Sequence, residues 1–236
     1  MVKPIVFIDS EIGIETQEIL DLGAVKYNSG TFHSPSLRDF GNYISNCDYV
    51  CGHNIIRHDL AFLYPKLPAL RRLTPIDTLF WSPLLFPQKP YHALLKDDKL
   101  RTDELNNPLN DAEKAQKLFH DEENAFHALS GTMKQIFYGL LSSRVEFNGL
   151  FSYLGYHPIL FSLTRAIRKE FDGRICENAD LDVLIKHYPV ELAYALALIG
   201  TDDYHSVTPP WVLKNYPKIQ NVVLFLRNTP CNDGCA

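Results

Sequence analysis

The sequence has no long hydrophobic run and no excess of basic residues. Its longest apolar stretch, Val190–Ile199, contains Glu191 and is too short to span a bilayer. Nothing after Met1 has the pattern of a secretory signal, so we expect a cytoplasmic protein with no membrane partner. The formal net charge is −5. A protein that binds only the phosphate backbone is more often basic, so the composition does not favour that class.

Cysteines are few, and internal repeats and low-complexity segments are lacking. Five cysteines, an odd number in 236 residues, do not suggest a disulfide framework. Cys231 and Cys235 resemble the beginning of a cysteine cluster, which predicts a longer natural protein; a frayed natural terminus is the alternative. Apolar residues make up 46% and charged residues 22%, which is typical of a globular protein and unlike a disordered one.

Short apolar runs alternate with turn signals in the first half of the chain. These runs predict strands at Ile5–Ile8, Ile19–Lys26, Tyr49–Cys51 and Ile76–Leu79. A helical pattern extends over Asn107–Leu129. Strands alternating with helices indicate an α/β fold, which we assign to residues 1–135.

Helical patterns dominate the second half, where strand signals are sparse. The predicted helices are Val145–Tyr153, Leu160–Phe171, Leu181–His187 and Val190–Ile199. We therefore predict that residues 136–236 form a mainly helical appendage or connector.

Two acidic residues lie two positions apart at the end of the first predicted strand. Asp9 and Glu11 would project from the same face of a strand and repel each other. A hard divalent cation with oxygen ligands would relieve this repulsion. The alternative is that the strand ends at Ile8 and both acids are solvated.

Two further acids lie where predicted helices begin. Asp59 follows Gly52-His53-Asn54 and opens an amphipathic helix, and Asp111 lies in the first turn of the longest one. Taken singly, each is explained by helix capping, because Asp is a common residue at helix N-termini.

The order of these acids and their neighbours carries more information than each alone. Phe-x-Asp-x-Glu at Asp9 is followed by Gly-His-Asn and Asp-Leu-x-Phe-Leu at Asp59, then Asp-Thr-Leu at Asp77 and Asn-Asp-Ala at Asp111. With Leu-Asp-Leu-Gly-Ala-Val from Leu20, this order resembles the DEDD superfamily of 3′→5′ exonucleases, which includes proofreading exonucleases. The resemblance covers about residues 3–125.

The resemblance implies a ribonuclease-H-like mixed sheet flanked by helices and a metal-dependent hydrolase. It implies two Mg²⁺ or Mn²⁺ ions held by Asp9, Glu11, Asp59 and Asp111, with Asp9 contacting both. It also implies a 3′ end of nucleic acid as substrate, with single-stranded DNA expected. Candidate substrate-binding residues are Asn54, Arg57 and Tyr91, and Lys96, Lys99 and Arg101 lie close to the motifs.

One position departs from the family pattern. The common branch has a histidine base five residues before the last aspartate, where this chain has Asn106, and another branch has a tyrosine at the position of Asn107. An amide does not accept a proton from water near neutral pH as an imidazole does. His92 is the nearest upstream candidate base, and the alternatives are that the metals suffice or that catalysis is weak. For His53 and His58 we expect packing or capping.

Segments of the second half resemble a connector in bacterial proteins that join such an exonuclease domain to a RecQ-like helicase. The resemblance rests on the segments Pro189–Leu196 and Ser206–Trp211 and on the end that carries Cys231 and Cys235. It implies a covalently linked helicase domain downstream and a role in DNA repair. No Walker A sequence is present, so this chain is not itself the motor. Two other functions stay open: a docking module in a degenerate exonuclease fold, and a phosphodiesterase for short oligonucleotides.

Overall fold

A computed structural model of the chain describes residues 3–13, 15–27, 30–89, 107–159, 162–201 and 208–228. The described residues divide into two compact units. The first unit lies within Met1–Leu79 and Ala93–Glu123, and the second within Phe80–His92 and Asn124–Ala236. The sequence-based division at residues 135 and 136 remains a prediction; it falls inside a helix of the second unit.

The first unit contains a five-stranded mixed sheet with the order β3-β2-β1-β4-β5. Its strands are β1 (Ile5–Ile12), β2 (Ile19–Lys26), β3 (Thr31–His33), β4 (Tyr49–Gly52) and β5 (Thr74–Asp77). The pairs β1/β2 and β2/β3 are antiparallel, whereas β1/β4 and β4/β5 are parallel. The α/β class is therefore confirmed, and the specific ribonuclease-H-like arrangement stays a prediction.

Helices make up most of the remaining described residues. They are α1 (Leu37–Tyr43), α2 (Asp59–Lys66), α3 (Thr78–Leu85), α4 (Pro108–Ala128), α5 (Gly131–Leu141), α6 (Val145–Leu154), α7 (Leu163–Glu170), α8 (Leu181–His187), α9 (Pro189–Thr201), α10 (Pro210–Asn215) and α11 (Ile219–Asn228). After Asp77, the described residues include no strand, and those within 136–236 are mainly helical, as the sequence predicts. Nor is any described helix long and apolar enough to cross a membrane.

The central strand β1 is buried on both faces, which explains its continuous apolar run. On one face, Val6 and Ile8 join a core cluster with Phe40 of α1 and Leu63 of α2. On the other face, Phe7 packs against Phe119 of α4, with ring centroids 5.4 Å apart. The sheet of the first unit is therefore covered by helices on both faces.

The second unit is built around aromatic side chains and the apolar helix α9. Trp81 is fully buried and contacts Phe126, Phe147 and Phe151 edge to face, with centroid separations of 5.1 to 5.9 Å. The hydroxyl of Tyr194 in α9 donates a hydrogen bond of 2.9 Å to a backbone carbonyl of the same unit. This unit has a core of its own.

Two parts of the sheet differ from the sequence-based prediction. β3 has three residues and was not predicted, because so short a segment leaves no alternation to detect. β5 ends at Asp77, whereas a strand at Ile76–Leu79 was predicted. Thr78 and Leu79 instead begin α3, and the apolar side chains there suit a buried strand and a buried helix equally well.

Candidate active site

The first pair of predicted acids lies on β1, which continues to Ile12. The interpretation that the strand ends at Ile8 is therefore wrong. Asp9 pairs with Gly23 of β2, and Glu11 pairs with Asp21. Because successive side chains alternate between the faces of a strand, Asp9 and Glu11 project from one face and Ser10 from the other.

Gly23 allows the start of α4 to lie directly on the sheet beside Asp9. A Cβ atom at this position would lie 2.1 Å from the backbone nitrogen of Leu109 and 2.1 Å from the carbonyl carbon of Pro108. Only a residue without a side chain permits so close an approach. The first turn of α4, which carries Asp111, is thereby held over the strand next to Asp9.

Asp59 is fixed by β1 rather than by its own helix. Its side chain is buried, and Oδ1 accepts hydrogen bonds from the backbone N–H (2.8 Å) and the hydroxyl (2.5 Å) of Ser10. The N-cap of α2 is His58, and no side-chain capping hydrogen bond is present there. The capping interpretation of Asp59 is therefore wrong.

Asp111 is likewise not the cap of its helix. Asn107 caps α4, because its Oδ1 accepts from the backbone N–H groups of Leu109 (3.0 Å) and Asn110 (3.4 Å). The Asp111 carboxylate is mostly buried and lies 3.3 Å from Nζ of Lys114, one turn along the helix. Asp111 is thus available for a role outside helix capping.

Three of the predicted acids act electrostatically on the fourth, Asp9. The pKa of Asp9 is raised from 3.8 to about 8, first by burial and then by the negative charges of Asp59, Asp111 and Glu11, while His58 opposes the shift. The four acids come from three separate parts of the chain, and the tertiary structure brings them into one electrostatic cluster. Mutual repulsion of this kind favours binding of a proton or a cation.

His58 belongs to the same cluster, which the sequence did not indicate. Its Nδ1 lies 3.6 Å from Oδ2 of Asp59, and its side chain is half exposed. Its pKa is raised first by the interaction with Asp59, and the charges of Asp9 and Glu11 add to this. The sequence predicted a packing or capping role for His58. It did not predict this position beside the carboxylates.

Asp77 organises the loop that leads into Asp59. Its carboxylate is fully buried and accepts backbone hydrogen bonds from Asn54 (2.8 Å), Ile56 (3.1 Å) and Leu79 (3.1 Å). Burial raises its pKa from 3.8 to about 7, and these N–H donors oppose the rise. The sequence placed Asp77 inside a predicted strand and in the Asp-Thr-Leu motif without a role, and that motif was the only signal available.

The same loop is constrained at two positions, by backbone conformation at one and by close packing at the other. Asn54 has a φ of +66°, in the left-handed region that asparagine tolerates better than most residues. At Gly52, a Cβ atom would lie 2.1 Å from the side chain of Ile55 and 2.6 Å from the carbonyl oxygen of Ile8. Thr78 donates a hydrogen bond to the Gly52 carbonyl (3.2 Å) and contacts Nδ1 of His53 (2.9 Å). His53 is therefore part of the support for this loop.

The candidate substrate-binding and base residues divide into two groups. Asn54 and the exposed Arg57 lie on the loop that Asp77 organises, close in sequence to Asp59. Tyr91, His92 and Asn106 lie outside the described residues, as do Lys96, Lys99 and Arg101. Substrate binding and proton transfer by these residues stay predictions.

The donor chemistry of the cluster suits a hard divalent cation, since Mg²⁺ and Mn²⁺ prefer carboxylate oxygens. Within the described residues, however, no group of three or more His, Cys, Asp or Glu side chains is arranged so that it could hold a metal ion. One oxygen of Asp59 is bonded to Ser10, and one of Asp111 contacts Lys114. Ion binding at this cluster would therefore involve rearrangement of side chains.

Comparisons with known proteins add no relative. No family model matches the chain, and neither the curated proteins nor the solved structures include a significant match.

Proposed function

We propose that the first unit is a metal-dependent 3′→5′ exonuclease of the DEDD type with a ribonuclease-H-like fold. The observation that carries the proposal is the convergence of the motif acids in one cluster. Ser10 lies between Asp9 and Glu11 and donates hydrogen bonds to Asp59. Gly23 pairs with Asp9 on the neighbouring strand, and the helix turn that carries Asp111 packs on it. These contacts explain how residues 10 and 23 bring the acids together, which strand and helix patterns alone do not explain.

Asp9, Glu11, Asp59 and Asp111 would hold the ions, which are Mg²⁺ or Mn²⁺. When bound, such ions activate water and neutralise charge on the phosphate during hydrolysis. The protein contributes the positioning of the acids: Ser10 and His58 hold Asp59, and the Gly23 contact holds the start of α4. The substrate in this proposal is a 3′ end of single-stranded DNA, and a downstream helicase domain would supply such ends.

The test is cleavage of a 5′-labelled single-stranded DNA oligonucleotide with Mg²⁺, Mn²⁺ or EDTA. We expect metal-dependent shortening from the 3′ end and its loss in the Asp9→Asn variant. Asp121→Asn is the matched control, because Asp121 is an exposed acid on the same helix as Asp111. Cleavage that survives Asp9→Asn would contradict the proposal, as would an intact oligonucleotide with both metals.

A second function is favoured by one observation, the lack of a described group arranged to hold a metal. A catalytically weak module would bind nucleic acid or a partner protein without cleaving in any metal. Binding of the labelled oligonucleotide, measured by fluorescence anisotropy and combined with no shortening in Mg²⁺ or Mn²⁺, would identify this function. Varying the oligonucleotide length separates an exonuclease from a phosphodiesterase for short oligonucleotides.

A further inference from the structure

Two polar residues extend the carboxylate row across the sheet. Asp21 on β2 pairs with Glu11, and His33 on β3 pairs with Gly23, the residue that also pairs with Asp9. Directly paired residues share a face, and so do residues two apart on one strand. Asp9, Glu11, Asp21 and His33 therefore project from the same face of the sheet.

The Asp21 carboxylate opposite Glu11 needs an explanation, because like charges directly opposite each other destabilise a strand pair. Both of its oxygens are engaged. Oδ1 accepts the backbone N–H of Leu22 (2.9 Å), and Oδ2 lies 2.7 Å from Nε2 of His33. Asp21 is thus oriented by the backbone and in turn orients the imidazole ring of His33.

The second ring nitrogen of His33 does not take part in the contact with Asp21. Among the described residues, Nδ1 of His33 has no hydrogen-bond partner, and the side chain is 41% exposed. A doubly protonated ring donates from both nitrogens, so it can bridge the Asp21 carboxylate and a second anion. Because exposed ion pairs contribute little to the free energy of unfolding, a gain in stability does not by itself explain the Asp21–His33 pair.

The position of His33 fits an anion that belongs to the substrate strand. His33 is separated from Asp9 by two strand spacings, which is about 10 Å. The first turn of α4, which carries Asp111, lies over Gly23 on the strand between them. This face therefore carries the acids that the proposed function assigns to the metal ions, and the His33 ring lies about two strands away from Asp9 on the same face.

We propose that His33, oriented by Asp21, contacts a phosphate of the substrate strand upstream of the scissile bond. The inference rests on the proposed nuclease function and deepens it, because it assigns a binding site for the part of the strand that is not cleaved. His33 touches none of the reacting atoms, and Asp21 is a positioning residue that acts through it. Loss of the contact weakens substrate binding and leaves the rate at saturating substrate unchanged.

The experiment compares His33→Gln, His33→Lys and Asp21→Asn in the full chain. Binding of a labelled single-stranded DNA oligonucleotide is measured by anisotropy at several salt concentrations, in an Asp9→Asn background that prevents cleavage. KM and kcat are measured without that background. For His33→Gln we expect Kd and KM to rise about tenfold, the loss typical of one hydrogen bond to a charged group, with kcat within about twofold of the wild type.

The salt dependence separates a phosphate contact from a structural role. Removing one contact should reduce the slope of log K against log salt by about 0.7 for a single strand. His33→Lys, which retains a cation, should restore both affinity and slope, and Asp21→Asn should weaken binding in the same direction as His33→Gln. His120→Gln is the matched control, since His120 lies 3.6 Å from Glu123 in another histidine–carboxylate pair of the first unit.

Unchanged affinity and an unchanged salt slope in His33→Gln would overturn the inference. An equal loss of affinity in His120→Gln, or no recovery of affinity in His33→Lys, would also overturn it. A wild-type protein that cleaves but shows no dependence on His33 would remove this inference and leave the proposed function standing. Binding that depends on His33 without any cleavage would support the phosphate contact and count against the nuclease. A chain that neither binds nor cleaves would overturn both.

Discussion

Substitution of Gly23 by alanine tests how the site is assembled. The added Cβ would lie 2.1 Å from two backbone atoms of α4, at Leu109 and Pro108. Carbon contacts are favourable only from about 3.5 Å, so the start of α4 must move by about 1.4 Å. Since the obstructing atoms are backbone and not the end of a flexible side chain, the first turn must shift, and Asp111 shifts with it.

Two effects of Gly23→Ala follow from this displacement. Overpacking of this kind costs about 1–3 kcal/mol, which corresponds to a fall in Tm of about 2–12 °C for a chain of this size. A displacement of about 1 Å at a catalytic group lowers the rate about 100-fold. We therefore expect a moderate loss of stability together with a large loss of metal-dependent cleavage, measured well below the Tm of the variant.

The control for this experiment is Gly131→Ala. Gly131 begins α5, and a Cβ there would meet no atom within 4 Å. We expect this variant to keep the stability and activity of the wild type. If Gly23→Ala also had the Tm and rate of the wild type, the close packing of α4 on β2 would be refuted. A lower Tm with full activity would show that this packing does not position Asp111.

Three further predictions concern single side chains. Because the pKa of Asp77 is raised to about 7, the folded state favours its protonated form. The stability that this protonation contributes is full below about pH 4 and is lost as the pH rises through about 7. Asp77→Asn should therefore flatten the curve of Tm against pH over that interval. Ser10→Ala removes the hydroxyl donor to buried Asp59 and should cost about 1–3 kcal/mol in urea unfolding, with loss of cleavage. Tyr194→Phe removes the buried hydrogen bond to the Phe80 carbonyl and should cost about 1 kcal/mol with cleavage retained.

Each of these variants has an exposed counterpart as control. Asp48→Asn, Ser45→Ala and Tyr188→Phe change the same residue types at exposed positions. An Asp77→Asn curve parallel to that of the wild type would contradict the buried, protonated carboxylate. A Ser10→Ala variant as stable as Ser45→Ala would contradict the tie between β1 and Asp59. A Tyr194→Phe protein with wild-type stability would show that the second unit does not depend on that hydrogen bond.

The sequence by itself determined the elements whose patterns are local. β2 and α8 have the predicted bounds, and α4 differs from the predicted helix by one residue at each end. The alternation of side chains on a strand was enough to place Asp9 and Glu11 on one face, because strand geometry follows from the backbone alone. The α/β class followed from the same local patterns.

Only the tertiary structure decided what Asp59 and Asp111 contact. Locally, each was explained as a helix cap, and the contacts that exclude this come from distant residues: Ser10 lies 49 positions from Asp59. The start of α4 reaches Asp9 because Gly23, far away in sequence, leaves space for its backbone. Such contacts have no periodicity that a sequence could show, since they depend on how separate elements pack.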